Sequence, residues 1–347
     1  MNPATAKPSD IVRALDQYVV GQANAKRSLA VAAYTHYRRL ALNQTREITL
    51  DKANILILGP SGCGKTLLCE TLARHVDVPF VTADATSLAQ SRFVGDEIEA
   101  ILGRLVEKAD GDLARAGQGI VFIDEVDKLK VDASGASRAT SGESVQHALL
   151  KIMEGYPARF SDGRVMDTAG ILFICGGAFV DLERIMARSH SFGYIAANQE
   201  DDAGVLARIN NRVKPTDLFE FGLIPEFTGR LPVIARVESL DREALARIMV
   251  EPKNALYRQF RALLAEMGAQ LVISPQVFQQ IADLALEYKT GARSLRGIFE
   301  ELLTPILYTV PDHPEVKAVH FRSLFEPPVF QKAQDTPATQ SAPQSGN

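Results

Sequence analysis

Apolar residues gather in short runs of strand length along the first part of the chain. Five such runs stand out, and they are Ile55–Leu58, Pro79–Thr82, Ile120–Ile123, Ile171–Cys175 and Pro232–Val237. Patterns of helical spacing separate most of these runs, for example at Glu97–Ala109 and Gly142–Glu154. Strands that alternate with helices predict an α/β fold, with a parallel five-stranded sheet and helices on both faces.

The pattern changes near Glu238, after which helical spacing dominates to about Tyr308. A chain of 347 residues is long for one domain, so a boundary here agrees with its length. Helices are expected at Asp241–Met267, at Pro275–Tyr288 and after Arg293, the last of them clearly amphipathic. We therefore expect a disordered lead at 1–8, a large α/β domain at 9–238, a small and mainly helical domain at 239–327, and a disordered tail rich in Pro, Gln, Ser and Thr at 328–347.

Charge and cysteine usage exclude several classes of protein. The net charge of −4 gives no general basic field for nucleic acid. The three cysteines, Cys63, Cys69 and Cys175, form no pair with metal-site spacing and no disulfide framework. No apolar run reaches membrane-spanning length, and the first residues lack the apolar core of a signal peptide. We expect a cytoplasmic protein with no zinc, no membrane and no nucleic-acid partner.

The stretch after the first apolar run has the spacing of a P-loop, the Walker A motif, between a strand and a helix. Its backbone N–H groups should face a phosphate chain at the positive end of the helix dipole. Lys65 should reach the β- and γ-phosphates, and the Thr66 hydroxyl should bind Mg²⁺. The sequence therefore predicts an ATP site made of Gly59, Pro60, Ser61, Gly62, Cys63, Gly64, Lys65, Thr66 and Leu67.

A pair of carboxylates follows the third apolar run. Asp124 and Glu125 come directly after Ile120–Ile123, which places them at the carboxyl edge of a buried strand. Ligands bind at that edge of open parallel sheets. Asp124 should hold Mg²⁺ together with Thr66, and Glu125 should act as the base that polarises the attacking water. An acidic turn that only caps a helix is the alternative, and the neighbouring P-loop disfavours it.

Several motifs, in this order along the chain, resemble the ClpX family of AAA+ protein unfoldases. They are Val19-Val-Gly-Gln22, the P-loop, Ile-Asp-Glu-Val-Asp-Lys128, Ile171–Phe179, Gly222-Leu-Ile-Pro-Glu-Phe-Thr-Gly-Arg230 and Gly291-Ala-Arg293. The resemblance runs from about residue 9 to about residue 325. It implies an ATPase that works as a homo-hexameric ring and pulls unfolded or tagged protein substrates through a central pore.

The resemblance also implies roles for residues outside the P-loop. Arg230 matches the arginine finger that reaches the γ-phosphate held by the neighbouring subunit, and Arg293 matches the arginine with which the small domain contacts bound nucleotide. Val20 and Gln22 match the segment beside the adenine, although hinge packing explains them nearly as well. The residues that match the substrate-gripping pore loop are Phe93, Val94 and Gly95, with Phe in place of the usual Tyr.

The chain departs from the family pattern in the parts that choose substrates and partners. We expect no counterpart of the family's N-terminal zinc-binding domain. The ring-entrance loop is shortened to Pro157–Gly163, and the second pore loop differs at Ser137–Ser141. The loop that docks on the ClpP peptidase corresponds to Ser191–Tyr194, where Phe192-Gly193-Tyr194 keeps the glycine but changes both anchors. Coupling to a ClpP-like peptidase is therefore disfavoured.

Two other functions fit an AAA+ nucleotide site. A motor or loader acting on nucleic acid would need basic pore loops, whereas the predicted loop carries one arginine, Arg92, beside Asp96 and Glu97. A nucleotide-switched scaffold would not need the hydrolytic residues Glu125 and Arg230. Both alternatives are less favoured than an ATP-driven unfoldase.

Overall fold

A computed structural model describes residues 6–43, 50–91, 93–131, 137–189 and 212–333. For residues 137–141 and 189 it describes the backbone only. The chain divides into two compact units, one ending at Ser239 and the other beginning at Leu240. The division lies one residue beyond the boundary expected near Glu238. Across the described ranges, no helix combines the length and the apolar character needed to cross a membrane.

A parallel sheet forms the centre of the first unit and has the strand order β2-β3-β6-β1-β7. The strands are β1 (Ile55–Leu58), β2 (Phe80–Asp84), β3 (Ile120–Asp124), β6 (Leu172–Gly177) and β7 (Val233–Arg236). The helices of this unit are α1 (Pro8–Asp16), α2 (Ala23–Asn43), α3 (Lys65–Val76), α4 (Ala85–Gln90), α5 (Val94–Lys108), α6 (Leu113–Ala116), α7 (Ser137–Glu154), α8 (Leu182–Ser189), α9 (Pro215–Phe221) and α10 (Pro225–Gly229). The predicted α/β class and parallel five-stranded sheet are confirmed.

The central strands are apolar on both faces because helices cover both sides of the sheet. Every residue of β1 is buried, and so is every residue of β6. In β3 only the last residue, Asp124, is partly accessible. Continuous apolar runs of this kind are typical of parallel strands inside an α/β protein. The polar residue at the end of β3 therefore marks the sheet edge where a ligand can bind.

The stretches predicted as the entrance loop and the second pore loop form a hairpin and part of a helix, respectively. Pro157–Arg159 and Val165–Asp167 form the antiparallel hairpin β4–β5. Residues 137–141 form the first turn of α7, and for these residues only the backbone is described. The stretch Ser191–Tyr194, expected to dock a peptidase, lies outside the described residues.

The second unit contains a small sheet that the sequence pattern did not predict. Its helices are α11 (Arg242–Ile248), α12 (Leu256–Glu266), α13 (Pro275–Glu287) and α14 (Arg293–Thr309), and its strands are β8 (Gln270–Ile273), β9 (Val316–Phe321) and β10 (Val329–Lys332). β9 pairs with β8 in parallel and with β10 in antiparallel orientation.

Two expectations for this unit need correction. The helical pattern over Asp241–Met267 is broken, because Pro252 cannot continue a helix and its carbonyl instead accepts from Ala255 N at 3.0 Å. The expected disordered tail at 328–347 includes β10, since Val329 and Phe330 favour strands and pair with β9. Residues 334–347 lie outside the described ranges.

Candidate nucleotide site

The P-loop begins at a glycine that no other residue can replace. Gly59 has φ 145°, in the region that favours glycine. A Cβ atom there would lie 2.4 Å from both the side chain and the carbonyl oxygen of Val237. Gly62 and Gly64 also have positive φ, at 77° and 92°, and no atom lies within 4 Å of a Cβ built on Gly64. The loop therefore leaves an open concave backbone in front of α3, which begins at Lys65.

Lys65 is buried and bound to its own loop. Its Nζ donates to the carbonyl oxygens of Gly59 at 2.7 Å and Pro60 at 3.1 Å. An ammonium placed at the mouth of this loop is in position to bind a phosphate oxygen once it exchanges one of these carbonyl contacts. The geometry agrees with the predicted role of Lys65.

Two predicted Mg²⁺ ligands line one cavity of about 570 Å³. Thr66 enters it from the first turn of α3, and Asp124 enters it from the end of β3. Asp84, the last residue of β2, pairs in register with Asp124 and lines the same cavity. A hydroxyl and carboxylates are the hard oxygen donors that suit Mg²⁺. The residues at this edge therefore fit a nucleotide-bound Mg²⁺.

Glu125 begins a tight turn beside Asp124. Its φ of 60° lies in the left-handed region, which is uncommon for residues other than glycine. Its N–H donates to Asp124 Oδ1 at 2.9 Å, and its carbonyl accepts from Lys128 N at 2.9 Å. The 3₁₀ turn Val126–Leu129 follows directly. We call Asp124–Leu129 the acidic turn.

A buried carboxylate that the sequence reading missed fixes the acidic turn. Asp127 is 5% exposed, and its Oδ2 accepts from Phe179 N at 3.3 Å. A Cβ on Gly177, at the end of β6, would lie 2.6 Å from Asp127 Oδ1. The acidic turn is thus packed against the end of the neighbouring strand. The pair Gly176-Gly177 at a strand end was the available signal for such a close approach.

A larger cavity of about 1380 Å³ is also lined by the P-loop. Gly59, Pro60 and Ser61 line it together with Lys128 of the acidic turn, and Val237–Ser239 form another part of the wall. This volume exceeds the range of about 300–1,000 Å³ that is typical of small-molecule sites. It therefore has room for a nucleotide beside the P-loop.

The hinge interpretation accounts for Gln22. Its side-chain amide donates to Glu238 O at 2.9 Å and accepts from Glu238 N at 2.8 Å. Val20 is also buried, at 7% exposed. Both polar atoms of the Gln22 side chain are therefore hydrogen-bonded to the backbone of Glu238, just before the second unit. Contact of Val20 and Gln22 with adenine stays a prediction.

The residues of the predicted pore loop lie where α5 begins. Phe93 is the N-cap of α5 and is 63% exposed, whereas Val94 is partly buried against the core. Phe93 N donates to Ser91 Oγ at 3.3 Å, and that hydroxyl donates to Phe93 O at 3.2 Å. Phe93 therefore lies outside the apolar core, whereas Val94 packs against it. Arg92 lies outside the described residues.

The two predicted arginines lie in different units. Arg230 follows α10 in the first unit, is about half exposed, and is not among the residues that line the two cavities. Its guanidinium contacts Glu154, and its contact with nucleotide held by a neighbouring subunit stays a prediction. Arg293 is the exposed first residue of α14 in the second unit. Its contact with nucleotide stays a prediction.

The three cysteines are buried. Burial raises the pKa of the Cys175 thiol to about 12. Burial, with a smaller contribution from the charge of Asp124, also raises the pKa of Cys69. Cys63 is 5% exposed. Within the described part of the chain, no group of three or more His, Cys, Asp or Glu side chains is arranged to hold a metal ion.

Both units match models of known protein families. Residues 50–234 match the model of the AAA domain (Cdc48 subfamily), and residues 240–319 match that of the C-terminal, D2-small domain, of ClpB protein. The ATP-dependent Clp protease ATP-binding subunit ClpX 3 of Methylococcus capsulatus is 45% identical over 340 residues, which cover 90% of this chain and 78% of that protein. The ATP-dependent Clp protease ATP-binding subunit ClpX of Azotobacter vinelandii is 44% identical over 339 residues, covering 91% and 77%.

Proposed function

This chain belongs to the ClpX family of AAA+ ATPases, which are ATP-dependent protein unfoldases, and we propose that it works as a homo-hexameric ring. In this proposal the ring hydrolyses ATP with Mg²⁺ and without zinc. It pulls tagged or unfolded polypeptide through a central pore.

One helix carries the proposal, because α5 has a role in both the chemical site and the grip on substrate. It begins at the Phe93-Val94-Gly95 segment, in which the N-cap Phe93 is exposed. Further along, Glu97, Ile101 and Arg104 line the cavity that contains Thr66 and Asp124. A change in nucleotide state at that cavity therefore bears directly on the helix that presents Phe93.

The proposed hydrolysis assigns a separate task to each residue. The P-loop N–H groups and Lys65 bind the β- and γ-phosphates. Thr66 and Asp124 hold Mg²⁺, which neutralises charge on the phosphate oxygens when bound. Glu125 orients the attacking water and accepts its proton. The left-handed backbone of Glu125, fixed by Asp124 and Lys128, keeps that residue beside the end of β3.

Arg230 completes the site of the adjacent subunit in the proposed ring. Its side chain is 53% exposed and is not among the residues that line the two cavities at the P-loop. A guanidinium supplied in trans contributes ~10³–10⁵ to the rate of hydrolysis. A monomer should therefore be nearly inactive.

The grip on substrate is steric. A bulky ring at Phe93, next to the β-branched Val94, holds an extended chain without reading its sequence, and Gly95 lets the loop move. Both relatives are named as subunits of Clp protease. Because Phe192-Gly193-Tyr194 changes both docking anchors, the proposal does not assign ClpP or a ClpP-like peptidase as a necessary partner.

A single assay tests the proposed function. The protein is incubated with ATP, Mg²⁺ and a fluorescent folded protein that carries assorted terminal tags, with and without ClpP. We expect fluorescence loss without fragments, and no loss with Glu125→Gln in place of the wild type. Fragments with ClpP would restore the peptidase as a partner. Active ATPase with no fluorescence loss for any tag would contradict the unfoldase.

A further inference from the structure

A buried amide on α7 joins the acidic turn to the short helix that ends at Arg230. Gln146 is 0% exposed. Its Nε2 donates to Leu129 O at 2.8 Å, and its Oε1 accepts from Ile224 N at 2.8 Å. Both ends of one side chain are therefore used, and both partners are backbone atoms.

The two partners belong to the two halves of the proposed hydrolytic machinery. Leu129 is the last residue of the acidic turn, which begins with Asp124 and Glu125. Ile224 is the N-cap of α10, and Arg230 is its C-cap. Gln146 thus connects the turn that carries Glu125, the proposed base of its own subunit's site, to the helix that ends at Arg230, the arginine proposed to act in the neighbouring subunit.

Neighbouring contacts prevent these elements from moving independently. Val131 N, just after the acidic turn, donates to Gly222 O at 2.9 Å, just before α10. A Cβ on Gly142 of α7 would lie 2.6 Å from Leu129 O, so α7 packs closely on the acidic turn.

The other end of α10 is attached in the same manner. Asn54 is 1% exposed, and its Nδ2 donates to Arg230 O at 3.1 Å. Asn54 directly precedes β1, the strand that leads into the P-loop. The five-residue helix α10 is therefore held by a buried amide at each end, and each amide is attached to an element of the nucleotide site.

We propose that Gln146 is a positioning residue that ties Arg230 to the acidic turn of the same subunit. A displacement of Glu125 during hydrolysis then moves the arginine that serves the adjacent site. This coupling rests on the proposed function, because it requires Arg230 to act in trans.

The test uses Gln146→Met, which keeps the length of the side chain and removes both hydrogen bonds. Leu129 O and Ile224 N then lose their partners inside the core. A displacement of about 1 Å at a reacting group costs about 10² in rate, so we expect a loss of ATPase of about that size with nucleotide affinity unchanged. His147→Ala, on the same helix and 56% exposed on its side chain, is the matched control and should keep full activity.

Mixed rings show which site is impaired. Gln146→Met subunits have an intact base and a misplaced arginine, so mixing with Glu125→Gln subunits, whose Arg230 is intact, should raise ATPase above the sum of the separate activities. Mixing with Arg230→Ala subunits should not. Rescue by Arg230→Ala subunits but not by Glu125→Gln subunits would overturn the proposal, and so would wild-type ATPase in folded Gln146→Met.

Two further measurements keep the test decisive. If Gln146→Met fails to fold, as judged by thermal unfolding, Gln146→Leu takes its place, since it also removes both hydrogen bonds; the mixing pattern expected of it is the same. If Arg230→Ala alone hydrolyses ATP like the wild type, the proposed function fails at the trans arginine. That result is distinct from a failure of the Gln146 link.

Discussion

Glu154 holds the guanidinium of Arg230 through a single carboxylate oxygen. Oε1 lies 2.8 Å from Nε and 2.7 Å from Nη2. Glu154 is the last residue of α7, and Arg230 follows α10, so the pair connects the ends of two helices. The contact uses one edge of the guanidinium and leaves Nη1 to bind a phosphate oxygen. Glu154 therefore orients the arginine before the adjacent site uses it.

Replacing Glu154 by alanine should weaken catalysis without removing it. The two side chains are 53% and 46% exposed, so the ion pair itself is weak and its role is orientation. We expect Glu154→Ala to lower kcat for ATP by about 2–10-fold with little change in KM, because an interaction made in the transition state is affected. Steady-state ATPase measures this effect, with Glu143→Ala on the same helix as the control. A loss as deep as that of Arg230→Ala would show that Glu154 does more than orient.

Alanine at Gly59 should disrupt the P-loop. The added Cβ would meet the Val237 side chain and carbonyl oxygen at 2.4 Å, and a φ of 145° is strained for alanine. We expect Gly59→Ala to lose about 1–3 kcal/mol of unfolding free energy, as overpacked sites do, and to lose binding of a fluorescent ATP analogue. Gly103→Ala in α5, where no atom lies within 4 Å, should be neutral or stabilising. Unimpaired nucleotide binding by Gly59→Ala would argue against this loop as the phosphate cradle.

Removal of the Phe93 ring should separate ATPase from unfolding. The side chain is 63% exposed and is not among the residues that line the two cavities at the P-loop, so Phe93→Ala should keep ATPase within about 3-fold. It should lose fluorescence-detected unfolding of a tagged folded protein. Phe219→Ala, at an aromatic residue of the same unit that is 37% exposed, is the control and should keep both activities. Retained unfolding by Phe93→Ala would reject its role in the pore.

His36 should make the fold sensitive to acid. It is 3% exposed, and burial, with a smaller effect of the Arg39 charge, lowers its pKa to about 3. The unfolded chain binds a proton at the ordinary histidine pKa near ~6.5, so stability is lost as the pH falls from there towards 3, by up to about 1.4 kcal/mol per pH unit.

Chemical unfolding of His36→Gln at several pH values measures this contribution. The glutamine amide can donate to Gly170 O, which lies 2.9 Å from His36 Nε2, but it does not titrate. The difference in unfolding free energy between wild type and His36→Gln should change between pH 6.5 and 3 and stay constant above pH 7. A pH-independent difference for His36→Gln would mean that the pKa of His36 is the same in the folded and unfolded chains.

The parts of the site that the sequence predicted depend on short segments. Gly59–Thr66 and Asp124-Glu125 each lie next to an apolar run, so spacing alone placed them at one edge of the sheet. The residues that the sequence did not predict owe their positions to contacts between segments that are far apart in the chain. Gln146 binds backbone atoms 17 and 78 residues away, and backbone partners leave no sequence signal. The strand Val329–Lys332 was missed because it is short and follows two prolines that suggested disorder.

The central claim is that two subunits complete each ATP site, and mixing two inactive variants tests it most directly. Glu125→Gln subunits lack the base but keep Arg230, whereas Arg230→Ala subunits keep the base and lack the arginine. Each variant alone should be nearly inactive. Loss of the base should lower the rate of ATP hydrolysis by ~10²–10⁴, and loss of the arginine should lower it by ~10³–10⁵. Mixed in one ring, they should recover ATPase that neither has alone, because a neighbour's Arg230 then meets an intact Glu125. Full ATPase of Arg230→Ala alone, or no recovery in mixed rings, would contradict the account.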